Sequence, residues 1–260
     1  VTYLLSSEGR TALRAVASRP ILYAFDFDGT LAGISPDRGA VSLSRSTHAV
    51  LAELTKRAPC AVVSGRALED LKPRVNGAVP HLIGNHGLES PLTPPAVLSR
   101  AEHICLEWMT RVEGDLAQPL KAIEVEVENK RYSLTFHFRG AGDPTGVRPT
   151  LLVLLDHLIP VPRCLFGKAS VNVLPPGTSG KGEAALALMK HLRQAGLFFI
   201  GDDETDEDVF ALTEGLAMGV RVGWDSDSRA RFYVKHQTEM EEVIRLLVDC
   251  IDGTPESASS

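Results

Sequence analysis

Apolar residues in this chain follow two rhythms, and the changes between them divide it into three stretches. In the first stretch, unbroken apolar runs alternate with helical spacing. Ile21, Leu22, Tyr23, Ala24 and Phe25 are consecutive and apolar, the pattern of a strand buried on both faces of a parallel sheet. Residues 58–63 repeat it, and Leu82-Ile83 is a shorter third strand tip. Residues 1–18 predict a short helix leading into the first strand. Val50, Leu51 and Leu54 predict another over 47–57. Three strand-then-turn units before residue 90 are what a doubly wound sheet requires.

From about Leu88 the rhythm changes. Pro91, Pro94 and Pro95 mark a linker, and 101–112 predicts an amphipathic helix. Residues 122–139 carry the longest strand signal. Ile123, Val125 and Val127 alternate with Glu124, Glu126 and Glu128. After a turn near Asn129, Lys130 and Arg131, Tyr132, Leu134, Phe136 and Phe138 alternate with Ser133, Thr135, His137 and Arg139. This predicts a hairpin with one apolar and one polar face. Leu151, Leu154, Leu155 and Leu158 predict a helix over 147–158, and 164–174 a second hairpin turning at Gly167-Lys168. Helix, hairpin, helix, hairpin builds a four-stranded antiparallel sheet with helices on one face. Ser170, Asn172 and Leu174 join the polar face if the register allows. Alternating charges of this kind are ordinarily a solvated face; the alternative is a lid whose polar face looks onto the first strand's tip.

The third stretch returns to the first rhythm after Pro175-Pro176-Gly177. A helix opens at Ser179-Gly180-Lys181-Gly182-Glu183, with Ala184, Leu186, Leu188, Met189 and Leu192 at helical spacing. Leu197 to Ile200 and Leu216 to Val220 predict core strands, 241–251 a closing helix, and the residues from Asp252 onward a frayed tail. The expected fold class is α/β: a doubly wound, mostly parallel sheet from 1–87 and 175–260, with an α+β cap inserted at 88–174.

Length and 44% hydrophobic content suit one or two domains with real cores. A formal net charge of −6 argues against a nucleic-acid or anionic-membrane surface, so an anionic substrate would need local cations. No apolar run approaches the ~18 residues of a membrane span, and no leader pattern opens the chain. Cys60, Cys105, Cys164 and Cys250 lie far apart and read as thiols in a reducing compartment. A cytoplasmic location is expected.

The chemistry-bearing residues stand where the apolar runs stop. Asp26 and Asp28 follow the first run and are followed by Gly29-Thr30. Ligands bind at the carboxyl ends of strands in open α/β sheets, and two carboxylates there suit Mg²⁺. An EF-hand loop fails, because no spaced acidic ligands follow Gly29. Ser64, with Gly65 and Arg66 next, ends the second run; alone it would be a plain turn or helix cap, but after Asp-x-Asp-Gly-Thr it offers a hydroxyl and open N–H groups to a phosphoryl oxygen. Lys181 opens a helix, where the dipole disfavours a cation unless an anion sits there. Gly201 to Glu207 holds five acidic residues in seven at a strand tip, a density that a divalent cation would offset.

Taken in order, Asp26-Phe-Asp28-Gly-Thr, Ser64, Lys181 and Gly201-Asp202-Asp203 resemble the four signatures of haloacid dehalogenase-type phosphatases, with their Rossmann-like core. The likeness narrows with Val62-Val63-Ser64-Gly65-Arg66, Gly84-Asn85-His86-Gly87-Leu88-Glu89, Glu128-x-Lys130-x-x-Ser133-x-x-x-His137-x-Arg139 and Gly201-Asp202-Asp203-Glu204-Thr205-Asp206-Glu207. These are similar to the trehalose-6-phosphate phosphatases, whose cap is of the αββ-αββ type. The resemblance implies a Mg²⁺-dependent phosphatase, with Asp26 as nucleophile and Asp28 as acid and base. Mg²⁺ would be held by Asp26, the Asp28 backbone carbonyl and Asp202. Ser64 and Lys181 would hold phosphoryl oxygens, and Asp203 and Asp206 would orient the metal shell and Lys181. Glu128, Lys130 and Asn172 would contact the distal sugar; Arg66, Asn85, His86, Gly87, Ser133, His137 and Arg139 complete the expected substrate set. Asn172 departs from the family pattern, which has a glutamate there, so sugar selectivity stays open. Sucrose 6-phosphate phosphatase, phosphomannomutase (which shares the cap type) and a sensor without turnover are the alternatives. A monomer is expected, with a separate synthase supplying the substrate.

Overall fold

Residues 1–35, 38–167, 169–213, 216 and 218–253 are described in a computed structural model of the protein. They form two compact units: residues 1–91 with 180–260, and residues 92–179. In chain order the first unit begins with β1 (Thr2–Tyr3), α1 (Ser7–Ala17), β2 (Ile21–Phe25), α2 (Arg45–Thr55), β3 (Cys60–Val63), α3 (Leu68–Val75) and β4 (His81–Ile83). The second unit contributes α4 (Pro95–Glu113), α5 (Ala117–Ala122), β5 (Glu126–Asn129), β6 (Leu134–His137), α6 (Pro144–Leu155), β7 (Arg163–Gly167) and β8 (Ser170–Leu174). The first unit then resumes with α7 (Lys181–His191), β9 (Gly196–Gly201), α8 (Glu207–Thr213), β10 (Met218–Val222), β11 (Phe232–Val234) and α9 (Met240–Asp252).

The unbroken apolar runs become the centre of a seven-stranded parallel sheet, ordered β1-β11-β10-β9-β2-β3-β4. Strand side chains alternate between faces, so one run serves two cores. Ile21, Tyr23 and Phe25 pack with Phe198 and Ile200 against Leu13, Leu51 and Leu54, and against Val243, Ile244 and Leu247 of α9. Leu22 and Ala24 face the other way with Leu197 and Phe199, against Ala185 and Leu188 of α7 and Val209 and Phe210 of α8. Each large apolar side chain buried this way contributes about 1.5–3 kcal/mol. From β2 the chain winds outward through β3 and β4. From β9, on the other side of β2, it winds outward through β10 and β11. The winding direction therefore reverses between β2 and β9, and in such sheets ligands bind at that switch point.

Three features of this unit escape the periodicity. Residues 2–3 form an edge strand ahead of the first helix. Residues 68–75 form a helix that contains Pro73. Residues 232–234 form a strand beside β10. The strand expected at 216–220 starts at Met218 and continues to Val222, and Ala217 lies outside the described residues. The tail beyond 253 and Lys168 of the expected turn lie outside them as well. No helix among the described residues is long and apolar enough to cross a membrane.

The second unit holds a four-stranded antiparallel sheet, ordered β5-β6-β8-β7. Leu134, Phe136, Val171 and Val173 pack against Cys105 and Trp108 of α4 and Leu151 and Leu155 of α6. Trp108 is tied further by its indole N–H, which donates to the Pro160 carbonyl at 3.0 Å. The expected strand from 122 is corrected at its start. Ala122 ends α5, Val125 N–H donates to the Leu120 carbonyl, and Glu124 is left-handed at φ 54°. These bonds close a helix end, so Ile123 and Glu124 do not continue the alternation; the Glu124 carboxylate instead accepts from Gly142 N–H at 2.9 Å. β6 stops at His137, and Arg139 sits exposed in the turn beyond it.

Candidate active site

The tips of β2 and β9 are welded together by one bond beyond the strands. Asp26 N–H donates to the Ile200 carbonyl at 2.9 Å, which carries the ladder past Phe25. The chain then reverses sharply: Ala32 N–H donates to Phe27 O at 2.9 Å and Gly29 N–H to Ala32 O at 2.8 Å. Gly29 is required twice over. Its φ is +83°, and a Cβ there would lie 2.4 Å from Asp202 Oδ2. The Asp202 carboxylate thus rests against the backbone of the β2 turn.

Lys181, the first residue of α7, closes the cluster. Its Nζ donates to Asp26 Oδ1 and to Asp206 Oδ1, each at 2.7 Å. Asp206 Oδ2 accepts the backbone N–H groups of Asp202 and Asp203, both at 3.0 Å, so Asp206 has both oxygens committed to holding the loop and the lysine. Asp26, Lys181, Asp202 and Asp206 are 3, 3, 6 and 0% exposed. Burial pushes the Asp26 carboxyl well above the usual range; Lys181 pulls it down, while Asp206 and Asp202 add to the rise. Burial would lower Lys181, but Asp206 and Asp26 outweigh it and hold its pKa above normal.

Two buried carboxylates share one ammonium, and a third, Asp202, lies beside them. Ligand oxygens of Asp26, Asp202 and Asp206 lie within 4.8 Å of one another, a set one divalent cation can bridge. Unpaired charge at this burial is costly, and hard oxygen donors suit a small hard cation. Asp203 Oδ1 is buried without a hydrogen-bond partner among the described residues. The donor set therefore fits a divalent metal.

Around this cluster stand two further groups. Asp28 has both oxygens gripped by Arg66, Oδ2 by Nε at 2.7 Å and Oδ1 by Nη2 at 2.6 Å. Arg66 also donates Nη1 to Asp70 at 2.7 Å and lies 5.6 Å over the Phe27 ring. Ser64, beyond β3, donates its N–H to Ile83 O, and its Oγ accepts from Arg66 N–H at 3.2 Å. His86 N–H donates to Ser64 O at 3.0 Å, and the His86 ring lies against the Gly65 backbone. Asn85 and His86 are both left-handed, at φ 46° and 55°. Gly87 follows at φ +109°, where a Cβ would strike the Gly180 carbonyl at 2.3 Å. That contact sets the start of α7, and hence Lys181, against the turn after β4. Glu89 holds the turn, accepting from Asn85 Nδ2 at 2.6 Å and from Leu68 N–H at 2.8 Å. Its carboxylate thereby caps α3, which has no side-chain cap of its own.

The second unit gathers the other expected residues on one sheet face. Glu128, Thr135 and Asn172 stand in register across β5, β6 and β8. Thr135 Oγ1 donates to Asn172 Oδ1 at 2.8 Å, and His137 Nε2 lies 2.8 Å from Glu128 Oε2. Lys130 sits in the hairpin turn, its N–H bonded to Ser133 O. Ser133, Thr135 and Asn172 are buried, where alternation alone leaves water or a partner domain to cover them. The sequence motifs include Glu89 without giving it a role, and they leave out Asp70 and Arg74. For Asp70 and Arg74 the signal in the sequence is their four-residue spacing.

Comparison with known proteins agrees with this geometry. The trehalose-phosphatase family matches residues 24–238. The trehalose-phosphate phosphatase of Mycobacterium tuberculosis is 31% identical over 223 residues, covering 82% of this chain and 56% of that protein. Probable trehalose-phosphate phosphatase 4 of Oryza sativa subsp. japonica is 26% identical over 245 residues, 89% of this chain and 66% of that one. The chain thus spans little more than half the length of the mycobacterial relatives it matches. Among solved structures, the C-terminal domain of Candida albicans trehalose-6-phosphate phosphatase superposes with a TM-score of 0.71 at 20% identity, covering 95% of this chain and 98% of that one, a likeness of fold. With a match reaching from the tip of β2 to beyond β11, the chain belongs to the trehalose-phosphatase family.

Proposed function

We propose that the chain hydrolyses trehalose 6-phosphate to trehalose and phosphate through an aspartyl-phosphate on Asp26. The observation that carries this reading is the buried Asp26–Lys181–Asp206 chain beside Asp202, where β2 meets β9. A carboxylate oriented by an ammonium, in a site too acidic to stand alone, suits attack on a phosphate ester bound with a cation. The family match and the named activity of the mycobacterial relative support trehalose 6-phosphate as the ester.

An oxygen of Asp26 attacks phosphorus, the bond from phosphorus to the sugar oxygen breaks, and Asp28 gives that oxygen its proton. Asp28 then takes a proton from water as the water attacks phosphorus and frees Asp26. Lys181 orients Asp26 throughout and offsets phosphoryl charge, and Ser64 donates its hydroxyl to a phosphoryl oxygen. Asp26, the Asp28 carbonyl and Asp202 would hold Mg²⁺, which when bound neutralises charge on the phosphoryl group. Asp206 positions Lys181 and the 202–203 backbone, and Asp203 would orient the metal's surroundings. Glu128, Lys130 and Asn172 are the proposed contacts to the distal sugar, with His137, Arg139, Arg66, Asn85 and His86 nearer the phosphate or the hinge; Ser133 and Gly87 complete the proposed substrate set. The proposed location is cytoplasmic and the protein a monomer.

The test is phosphate release from trehalose 6-phosphate beside glucose, sucrose and mannose phosphates, with Mg²⁺ and with chelator. Preferred turnover of trehalose 6-phosphate, lost in chelator and restored by Mg²⁺, is the expected result. Preference for another sugar phosphate would overturn the substrate, full activity in chelator would overturn the metal, and no release from any ester would leave the sensor reading.

A further inference from the structure

Asp28, Arg66, Asp70 and Arg74 form one continuous chain of ion pairs. Arg66 gives Nε and Nη2 to the two oxygens of Asp28 and Nη1 to Asp70 Oδ2. Asp70 Oδ1 accepts from Arg74 Nη2 at 2.6 Å and Nε at 3.0 Å. Arg74 Nη1 ends the chain on the backbone carbonyls of Gly39 and Val41. Leu43 N–H returns to the Arg74 carbonyl at 3.4 Å. The last anchor therefore lies in the segment that follows the Asp28 turn, and the chain closes on the loop it starts from.

Four-residue spacing puts Arg66, Asp70 and Arg74 in one row along α3 and the turn before it. Exposed pairs in such rows are commonplace and contribute little. This row differs in two ways. The Arg66 and Arg74 side chains are only 12 and 14% exposed, and every nitrogen of Arg74 and all three side-chain nitrogens of Arg66 end on an oxygen. The Asp28 side chain is 39% exposed, so burial alone does not hold it, while Arg66 engages both of its oxygens. Its orientation comes from the Arg66 plane. That plane is held at its far edge by Asp70, and Asp70 is held by Arg74.

We propose that Asp70 and Arg74 are positioning residues for Asp28, acting through Arg66. This rests on the reading of Asp28 as the group that protonates the leaving oxygen. To do so, Asp28 must turn one oxygen away from Arg66. Asp70 keeps the guanidinium in place to hold the other oxygen, so the carboxyl swings about a fixed point. Without Asp70 the guanidinium can follow Asp28 or leave it, and an error near 1 Å at a reacting group costs about 100-fold.

The test compares kcat/KM for trehalose 6-phosphate and for p-nitrophenyl phosphate, with Mg²⁺, in the parent protein, Asp70→Asn, Arg74→Met and Asp70→Glu. A sugar oxygen needs a proton to leave, whereas nitrophenolate leaves without one. Asp70→Asn should lower kcat/KM for the sugar phosphate by about 10- to 100-fold and for the aryl phosphate by less than about twofold. Arg74→Met should show the same split at smaller size, and Asp70→Glu should recover part of the loss. Equal losses on both substrates, or none on either, would overturn the proposal. If the parent hydrolyses a different sugar phosphate, the substrate reading above fails, and the same comparison on that ester still decides positioning. If the parent hydrolyses none, exchange of the Arg66 Nε–H by NMR decides it. About tenfold faster exchange in Asp70→Asn supports the chain, since a hydrogen-bonded N–H exchanges only on opening, and unchanged exchange overturns it.

Discussion

The two units keep their polar groups in opposite ways. At the strand tips of the first unit a buried cluster has each charged group defined by another: Asp26 by Lys181, Lys181 by Asp206, Asp206 by the N–H groups of 202 and 203. In the second, Glu128, Thr135 and Asn172 lie side by side on a sheet face, Thr135 bonded to Asn172 and Glu128 to His137. A linked cluster fails as a whole when one member is removed. A face of adjacent groups loses one contact at a time. Chemistry, which needs a fixed charge arrangement, belongs with the first kind, and selectivity, which sums separate contacts, with the second.

The sharpest way to break this contrast is Asp26→Asn, which keeps shape and removes the carboxylate proposed to attack. Turnover of every substrate should fall by about 10⁴–10⁶ while the thermal transition survives; a variant with near-normal turnover would remove Asp26 from the reaction. Next in size is Lys181→Met. It leaves Asp26 and Asp206 buried without their cation, and urea unfolding without added metal should show a loss of about 3–5 kcal/mol. A loss under 1 kcal/mol would mean the carboxylates are already neutral, and the linked-cluster account would fall. Glu128→Ala and Lys130→Ala should each cut trehalose 6-phosphate turnover by about 10- to 100-fold while sparing a small phosphate ester. Equal losses on both would make these residues supports of folding or chemistry. The smallest effect is expected for Thr135→Val, which takes one donor from Asn172 Oδ1 and should cost about 1 kcal/mol in chemical denaturation. A larger loss would show the face to be as interdependent as the cluster.

The sequence exposed the parts of the candidate site that follow apolar runs. Asp26, Ser64 and Asp202 each come directly after a fully buried strand, and Lys181 opens a helix where a cation is out of place. What it hid depends on approach in space. Asp70 and Arg74 look like any helix-surface pair until Arg66 and the 39–41 backbone come to them. α3 was masked by Pro73 and its charges. β11 was too short to show a pattern between Arg231 and Lys235. At residues 123–125 the alternation starts before the backbone obeys it; the carbonyl of Leu120 captures Val125 N–H and closes a helix there instead.

The pairing of β2 with β9 also sets a timetable. Ile21 lies opposite Gly196, so the central strand waits about 175 residues for its second neighbour. At a synthesis rate of roughly 5–20 residues per second, that is on the order of 10 to 35 seconds. During it, β2, β3 and β4 can associate, and the second unit, whose sheet is built from two hairpins joined through α6, can finish folding on the ribosome. The tip of β2 cannot acquire Lys181 until late in that interval, or Asp202 until it has ended. Throughout it, the open side of an entirely apolar strand is the nascent chain's adhesive edge, the surface a chaperone would be called on to shield.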